Sequence, residues 1–463
     1  MATSNTDSKI LGVVVLFRHG DRQGFYQDPS NYFTPSNTAI TPLGNVEAFQ
    51  LGGQLRDLYL NPSSPSAIST INNTIAQDSQ IKIRADAGGE GGVIFNSAVS
   101  FLQGLFPPSG DYKTALANGT VVEGPMNGYQ TVPIESVEPD NDVSLEGWTD
   151  CDPFSTATKA FYESAQFKEV EAANSDFLSS LTSLMNDTPV TLQNMWNVYD
   201  YMNVQSIHNA TFAKNLPEGY LERARSLANY HEYGIFSSPQ IDGIGNIAGR
   251  TILPSIIDGM QSIIDKKNSQ KMLLQAVSYK PFISLFNMTG AAQMNESLAG
   301  IVNYAAALAL EVRQPNAGGE PFVTFKFKNG TDQDLNTYGF LGSSNSNVPV
   351  STFIDILKPH GIPDTPTWCQ VCSNTQDRGC ADLAAATTSA SASAFSATHD
   401  RVSPIAAGFI GACVAFAVVL SLISLLFFGG IIKITGKKHP KPQMTRSKPS
   451  SVSESESEKS SVV

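Results

Sequence analysis

The sequence predicts an α/β fold, in which a mostly parallel sheet is flanked by helices and carries a largely helical inserted cap. The run Ile10–Phe17 is apolar apart from Gly12 and contains three consecutive valines. This composition is typical of a strand that is buried on both faces. Two further strand-like runs, Gln80–Arg84 and Met272–Val277, lie far from it in the chain. Mostly helical patterns lie between them, and those at roughly 110–240 predict the cap.

Helical spacing of apolar residues defines the other elements. Asn45–Leu60 carries the first such pattern, with Thr41 as a suitable N-cap and Pro42 at the first helical position. The remaining helical patterns are Val93–Leu105, Ser155–Met202, Ser206–Tyr233 and Thr251–Lys266. Two closing strands are predicted at Tyr304–Arg313 and Pro321–Lys328.

Composition limits the possible partners. The chain has 463 residues and a formal net charge of −12, and 41% of its residues are hydrophobic, which fits a globular body. An acidic protein binds nucleic acid poorly, because phosphate neutralisation needs a basic surface. We therefore predict no nucleic-acid partner, and any anion site must be a local cluster of arginines. The sequence predicts no cofactor and no metal, and it sets no oligomeric state.

The cysteines and the glycosylation sequons favour an oxidising, extracytoplasmic compartment. Cys151, Cys369, Cys372 and Cys380 form an even set that is consistent with two disulfides. Metal binding by Cys369-x-x-Cys372 is the weaker alternative, because the four thiols lack the paired spacing of a zinc site. Seven N-x-S/T sequons begin at Asn72, Asn118, Asn186, Asn209, Asn287, Asn295 and Asn329. Together they favour a secreted or lumenal body.

The C-terminal part predicts one membrane-spanning helix. Ile405–Ile432 has no charged residue and is longer than the roughly 20 residues that a bilayer requires. Basic residues follow it, so the positive-inside rule places the disordered tail, 433–463, in the cytoplasm and the body outside. An Ala/Ser/Thr-rich stalk at 383–404 leaves 1–382 as the ectodomain. Because residues 1–9 form no apolar signal region, translocation depends on the C-terminal segment or the start lies upstream.

The first predicted strand ends in the basic segment RHGDR at residues 18–22. In open α/β sheets, ligands bind beyond the carboxyl ends of the strands. Arg18 and Arg22 therefore lie where a site is expected, and Arg84 ends a second strand. Guanidiniums offer forked donors that stay charged, which suits a phosphoryl group. The imidazole of His19, when neutral, can act as a nucleophile, so a phosphorylated small molecule is the predicted partner.

The segment 16–22 resembles the signature of the histidine acid phosphatase branch of the histidine phosphatase superfamily. This group has a phosphoglycerate mutase-like fold and includes phytases and prostatic-type acid phosphatases. Later blocks fit the same pattern in order: Thr41-Pro42-Leu43-Gly44, Ile83-Arg84, Ser97-Ala98, Gly104–Pro108 and Tyr304–Glu311. The resemblance covers roughly residues 10–380. It implies that His19 forms a phosphohistidine and that Arg18, Arg22 and Arg84 bind the phosphoryl group.

The sequence departs from the family pattern in two places. The family has a His-Asp pair after the strand that matches Met272–Val277, in which the His binds phosphate and the Asp protonates the leaving oxygen. Here Ser278 and Tyr279 stand at those positions. The family's second arginine after Arg84 is also absent, and the chain reads Ala85–Glu90. Losing a positioned general acid typically costs about 10²–10⁴ in rate, so we expect a weak phosphatase that favours good leaving groups.

Three acidic residues near the motif, Asp21, Asp86 and Glu90, are candidates for a replacement proton donor. The dipeptide His399-Asp400 lies in the predicted stalk, and we interpret it as coincidental.

Other notable side chains have a structural interpretation. His208 and His231 are expected to be satisfied structural histidines, and Trp196, Tyr199 and Tyr201 are expected in the core. Two other function classes stay open. One is a catalytically inactive pseudophosphatase that binds a phosphate ligand. The other is a phosphoglycerate mutase-like phosphotransferase, which the sequons and the predicted membrane orientation oppose.

Overall fold

A computed structural model describes residues 8–24, 27–28, 34–35, 38–185, 189–344 and 347–385. The predicted membrane segment Ile405–Ile432, the tail, and the stalk beyond residue 385 lie outside the described residues, as do His399-Asp400 and the sequon at Asn186. Within the described part of the chain, no helix has both the length and the apolar character needed to cross a bilayer.

A central sheet of eight strands organises the described residues, and two small hairpins accompany it. The twelve strands are β1 (Ser8–Arg18), β2 (Gln27–Asp28), β3 (Thr34–Pro35), β4 (Ile81–Asp86), β5 (Lys113–Ala115), β6 (Val121–Glu123), β7 (Glu135–Val137), β8 (Met272–Val277), β9 (Ala307–Pro315), β10 (Phe322–Lys328), β11 (Asn336–Thr337) and β12 (Asn347–Pro349). The order in the main sheet is β11-β10-β9-β1-β8-β4-β7, with β12 paired to β10.

The sheet is mixed, which corrects the prediction of a mostly parallel one. β1, β8, β4 and β7 pair in parallel, whereas β9 runs antiparallel to β1, and β10 runs antiparallel to β9. The cause is where the chain enters β9. The backbone N–H of Ala305 donates to the carbonyl of His19, and that of Arg18 donates to the carbonyl of Ala306. The chain therefore starts β9 at the carboxyl end of β1 and must run back along it.

The apolar first strand is buried on both faces, as its composition predicts. Val13, Val15 and Phe17 belong to one hydrophobic cluster, and Val14 and Leu16 belong to another on the opposite face. Each of these five side chains has no exposed surface. Because successive strand residues point to opposite faces, β1 forms the centre of both cores and holds the RHGDR segment rigidly at its end.

Fourteen helices surround the sheet within the described residues. They are α1 (Pro42–Leu55), α2 (Gly91–Leu105), α3 (Pro125–Gly128), α4 (Asp152–Glu163), α5 (Ala165–Ala173), α6 (Ser175–Leu181), α7 (Met195–His208), α8 (Ala210–Asn215), α9 (Tyr220–Ile235), α10 (Ile247–Ile264), α11 (Lys280–Met288), α12 (Ala291–Met294), α13 (Val350–Leu357) and α14 (Thr365–Val371). The segment from α4 to α9 is almost wholly helical and lies in the chain between β7 and β8.

The first helix begins as the sequence predicts. Thr41 is the N-cap of α1, its side chain accepts a hydrogen bond from the backbone N–H of Gly44, and Pro42 is the first helical residue. A Cβ on Gly52 would lie 2.0 Å from the carbonyl of Phe101, and one on Gly104 would lie 2.0 Å from the carbonyl of Phe49. These two glycines therefore let α1 and α2 pack closely over the face of β1 that carries Val13, Val15 and Phe17.

The four cysteines among the described residues form two disulfides, Cys151–Cys372 and Cys369–Cys380. The first joins the residue before α4 to the end of α14, so it closes a long loop of chain. The prediction of two disulfides is confirmed, and the structure adds the pairing.

Candidate active site

Three parallel strands end side by side and bring three loops together. Arg18, the last residue of β1, pairs with Val277, the last residue of β8. The backbone N–H of His19 donates to the carbonyl of Val277. β4 pairs with β8 on its other side, so His19, Ser278 and the loop after β4 meet at one edge of the sheet. This is the crevice that the sequence predicts, because ligands bind at the carboxyl ends of such strands.

His19 is held in one tautomer and is fully buried. Its Nδ1 donates to the carbonyl of Gly20 at 2.7 Å, since a carbonyl oxygen only accepts. The lone pair of the neutral ring is therefore on Nε2, which has no hydrogen-bond partner among the described residues. Burial lowers the pKa of His19, and nearby Glu90 only partly opposes this. The lowered pKa favours the neutral imidazole, in which Nε2 carries the lone pair.

Arg18 is clamped between two aromatic rings. The centre of its guanidinium lies 4.5 Å from the ring centroid of Tyr304 and 5.1 Å from that of Tyr279. One terminal nitrogen donates to the carbonyl of Val302. These contacts fix the guanidinium beside His19, with cation–π attraction to both rings.

Arg22 is buried and paired with two carboxylates. Its Nε donates to Glu90 Oε1, and its terminal nitrogens lie 3.1 and 3.0 Å from the carboxylate oxygens of Asp200. Burial alone would lower the pKa of Arg22, but Asp200 and Glu90 outweigh it and raise the pKa well above the usual value. Arg22 is therefore a permanent cation whose charge is already balanced within the protein.

Glu90 is the residue that brings the loop after β4 into contact with the imidazole. Its Oε2 lies 3.4 Å from His19 Nε2. Burial would raise the pKa of Glu90, but the charge of Arg22 outweighs it and holds the pKa well below its usual range. A carboxylate thus lies next to the nitrogen that a phosphoryl group would have to approach.

Arg84 does not join this group, which corrects its predicted placement in the phosphate site. Its guanidinium contacts Glu135, Asp142, Ser144 and the amide oxygen of Gln275. The reason is its position two residues before the end of β4, which is roughly 6–7 Å short of the strand end at the rise of an extended chain. The structure brings together Arg18, His19 and Arg22 and leaves Arg84 with a different set of partners, which line a separate cavity.

Ser278 and Tyr279 lie where the sequence places them, directly after β8 and beside the motif. Tyr279 contacts Arg18 and donates its phenol hydrogen to Glu232 Oε2 at 2.8 Å. Ser278 is buried, and its hydroxyl has no hydrogen-bond partner among the described residues. Neither residue supplies an acid that faces His19.

The three candidate proton donors have different surroundings. Asp21 Oδ2 accepts from Thr41 Oγ1 and lies 2.7 Å from His208 Nε2. Asp86 accepts from the backbone N–H of Gly88, and burial together with Glu146 raises its pKa well above the usual value. Of the three, Glu90 is the one whose carboxyl reaches the imidazole.

Two cavities lie beside the motif. The first has a volume of about 320 Å³ and contains Arg18 and Arg22 in its wall. Its other walls carry aromatic rings, side-chain amides and carboxylates, namely Trp196, Tyr199, Tyr279, Tyr304, Asn197, Asn203, Asn303, Asn329, Gln333, Glu47, Asp200 and Asp332. The second cavity, of about 280 Å³, has Glu90, Ser278 and Lys280 in its wall. His19 lines neither cavity and is fully buried, whereas Arg22 lines the first and Glu90 the second.

Sequence reasoning missed several of these contacts. Asp200 and Val302 reach the motif from far along the chain, and no local pattern marks them. Tyr304 begins a block that fits the family pattern, but its contact with Arg18 was not predicted. His208 was interpreted as structural, yet it contacts Asp21 of the motif. His231 is buried between Tyr162 and Glu232, which agrees with its structural interpretation. Trp196 and Tyr199 are buried, as predicted, but they also line the first cavity.

The fold and the motif together define a histidine phosphatase. Residues 23–327 match the family model described as histidine phosphatase superfamily, branch 2. The chain therefore belongs to this family, and the family predicted from the sequence is confirmed. The match begins directly after Arg22, so the correspondence of His19 depends on the motif at residues 18–22.

Curated relatives and solved structures agree with this assignment. The lysosomal acid phosphatases of Homo sapiens and Pongo abelii are each 21% identical over 371 residues, which is 79% of this chain and 81% of theirs. The Hafnia alvei phytase in complex with tartrate has a TM-score of 0.54 at 15% identity, covering 79% of this chain and 98% of its own. A Klebsiella sp. ASR1 phytase has a TM-score of 0.55 at 14% identity, with 78% and 98% covered. The structural likeness establishes the fold.

Proposed function

We propose that the protein is a phosphomonoester hydrolase that works through a phosphohistidine on His19. The observation that carries the proposal is the hydrogen bond from His19 Nδ1 to the Gly20 carbonyl, which leaves Nε2 as a buried lone pair. Arg18 and Arg22 flank this nitrogen as phosphoryl-binding cations. Arg84 has no part in the proposal, because its guanidinium contacts other residues.

The chemistry proceeds in two displacements. Nε2 of His19 attacks phosphorus, the bond from phosphorus to the ester oxygen breaks, and the oxygen leaves as an alkoxide or phenoxide that takes its proton from water. Water then attacks the phosphohistidine, which releases inorganic phosphate and restores the lone pair on Nε2. Nδ1 keeps its hydrogen throughout and donates it to the Gly20 carbonyl. This hydrogen bond stabilises the positive charge that the ring acquires.

The proposed activity is weak for two reasons. Ser278 and Tyr279 replace the His-Asp pair that the family resemblance implies, so a placed proton donor is missing where the leaving group departs. Glu90 also holds a negative charge 3.4 Å from Nε2, which disfavours a phosphate dianion there. Esters whose leaving group needs no proton should therefore react best.

The substrate class is a small phosphomonoester whose organic part fills the first cavity. That cavity offers aromatic rings and side-chain amides around Arg18 and Arg22. Such walls suit a polar, uncharged organic group. The acid phosphatase and phytase names of the relatives support phosphomonoester hydrolysis.

We place the body outside the cytoplasm, anchored by the segment Ile405–Ile432. Two disulfides support an oxidising compartment, and the name of the curated relatives includes a lysosomal location. A phosphoglycerate mutase-like phosphotransferase of the cytosol is less consistent with these disulfides.

A phosphate-binding pseudophosphatase is the second candidate function. The contact between Glu90 and the site favours it, because a carboxylate on Arg22 could block turnover permanently. Hydrolysis of an aryl phosphate by the full-length protein separates the two. The proposal predicts turnover that His19→Ala abolishes and that His360→Ala, the same change at a partly buried histidine outside the site, leaves intact. Equal activity in wild type and His19→Ala would refute it.

A further inference from the structure

Glu90 occupies the place that a phosphoryl group needs. Oε1 accepts from Arg22 Nε, and Oε2 lies 3.4 Å from His19 Nε2. A phosphoryl group ready for transfer must bring its phosphorus to Nε2 and its oxygens to Arg22. The carboxylate and the ligand therefore compete for the same two contacts.

The resting contact is held by Arg22 and opposed by His19. Because Nδ1 carries the ring hydrogen, Nε2 presents a lone pair to a carboxylate oxygen. Two acceptors facing each other repel unless a proton lies between them or one of them moves. The charged and titratable side chains that face Glu90 are Arg22, His19, Lys280, Asp86, Tyr279 and Tyr304.

The second cavity offers Glu90 another set of partners. Glu90 forms part of its wall together with Ser278 and Lys280. The hydroxyl of Ser278 is buried without a hydrogen-bond partner among the described residues, and leaving a buried hydroxyl in that condition is unfavourable. Burial lowers the pKa of Lys280, and Glu90 opposes this, so the two groups already interact in the resting position. A carboxylate turned into this cavity would accept a hydrogen bond from Ser278.

The movement involves only the side chain of Glu90. Its backbone stays at the start of α2, where its carbonyl accepts from the backbone N–H groups of Val93 and Ile94. Because the Glu90 side chain forms part of the wall of the second cavity, rotation about its side-chain bonds can carry the carboxylate from Arg22 toward Ser278.

We propose that Glu90 is an internal competitor for the anionic ligand and has two positions. In the resting position it lies on Arg22 beside His19, and in the displaced position it lies on Ser278 in the second cavity. This inference depends on the proposed function, because it concerns the same phosphoryl site. A ligand binds only by displacing Glu90. Because Arg22 holds the pKa of Glu90 well below its usual range, the competing negative charge is present throughout the near-neutral pH range.

Sulfate is a suitable probe, because it has the shape and charge of a phosphate dianion but does not change protonation over the pH range used. Calorimetric titration of the full-length protein with sulfate at near-neutral pH should show Glu90→Gln binding about tenfold tighter than wild type, since a competing charge is gone. Glu138→Gln is the matched control. It removes an exposed carboxylate from the rim of the same cavity, and its affinity should stay at the wild-type value.

Ser278→Ala tests the displaced position. It should weaken sulfate binding roughly tenfold in the wild-type background, because the displaced carboxylate loses a hydrogen bond. In the Glu90→Gln background, Ser278→Ala should leave the sulfate affinity unchanged, because there is no displaced carboxylate for Ser278 to stabilise. Circular dichroism confirms that each variant is folded before the titration.

The outcomes separate this inference from the proposed function. If Glu90→Gln binds sulfate no more tightly than wild type, or if Ser278→Ala has the same effect in both backgrounds, the inference is overturned. The proposed function survives that result as long as His19 is phosphorylated by an ester. If no variant binds sulfate at any pH and His19 is never phosphorylated, both are wrong.

Discussion

The phenol of Tyr279 donates a hydrogen bond to Glu232 Oε2 at 2.8 Å, at the position where the family resemblance implies a carboxylic acid. Glu232 is also hydrogen-bonded to His231, and His231 to the hydroxyl of Tyr162. The Tyr279 phenol is therefore the end of a hydrogen-bonded chain of four side chains. Burial and the charge of Glu232 raise the pKa of Tyr279 well above its usual value. Tyr279 therefore keeps its hydrogen and gives it to Glu232, while its ring holds Arg18.

The double change Ser278→His with Tyr279→Asp should raise turnover of alkyl phosphates by at least about tenfold, toward the 10²–10⁴ that a general acid supplies. The new carboxyl would lie beside Glu232, and a neighbouring carboxylate favours the protonated form that a donor needs. Steady-state assays on alkyl and aryl esters measure this. Aryl turnover should change little, because a phenolate leaves without help. Ser278→His alone is the control and should give no alkyl gain.

Tyr279→Phe should destabilise the protein by about 1–3 kcal/mol, because the buried carboxyl of Glu232 loses a donor. Tyr304→Phe is the matched control. Tyr304 contacts the same Arg18, but its hydroxyl has no hydrogen-bond partner among the described residues, so its loss should cost far less. Urea unfolding of both variants compares them. Equal losses of stability would contradict the assigned role of the Tyr279–Glu232 contact.

Much of the fold follows from local sequence, because β1 and β8 are mostly apolar, as is typical of strands that are covered on both faces. β8 has the predicted bounds, Met272–Val277, and Thr41 caps α1 as expected. The antiparallel half of the sheet was not predicted. Its direction depends on where the chain after α12 meets β1, which is a long-range property that periodicity does not contain.

The site was predicted only in part, because some of its contacts join residues that are far apart in the chain. Arg18, His19 and Arg22 are adjacent in sequence and stay together in the fold. Arg84 was expected at the strand tip because the strand was predicted to end at Arg84, whereas β4 continues to Asp86. Glu90 was named as a possible acid, but its contact with both His19 and Arg22 requires the loop after β4 to fold back over the motif.

The two disulfides should differ in their contribution to stability. Cys151 and Cys372 are 221 residues apart, whereas Cys369 and Cys380 are 11 apart. In the chain-entropy model these loops correspond to roughly 5 and 3 kcal/mol. Replacing the first pair by serine should therefore lower the free energy of unfolding about 2 kcal/mol more than replacing the second. Denaturant unfolding of the two double variants tests this, and an equal loss would show that chain entropy does not govern them.

Glycosylation should follow exposure. The sequon asparagines Asn72, Asn118, Asn209 and Asn295 are exposed. Asn287 instead donates to the Tyr233 hydroxyl and accepts from the backbone N–H of Ser238, so its amide is occupied. Mass spectrometry of glycopeptides from protein made in a glycosylating cell should find glycans at some or all of the exposed four and none at Asn287. Full glycosylation of Asn287 would contradict the local structure. A complete lack of glycans at the four exposed sites would contradict the extracytoplasmic placement.

The most direct test of the central claim is to trap the phosphorylated enzyme. Full-length protein is mixed with an aryl phosphate, quenched at alkaline pH where phosphohistidine survives, and digested for mass spectrometry. We predict one phosphoryl group on the peptide that contains His19, and none in His19→Ala. A phosphoryl group on another residue, or turnover of the ester with His19 never modified, would contradict the assignment of His19 as the nucleophile.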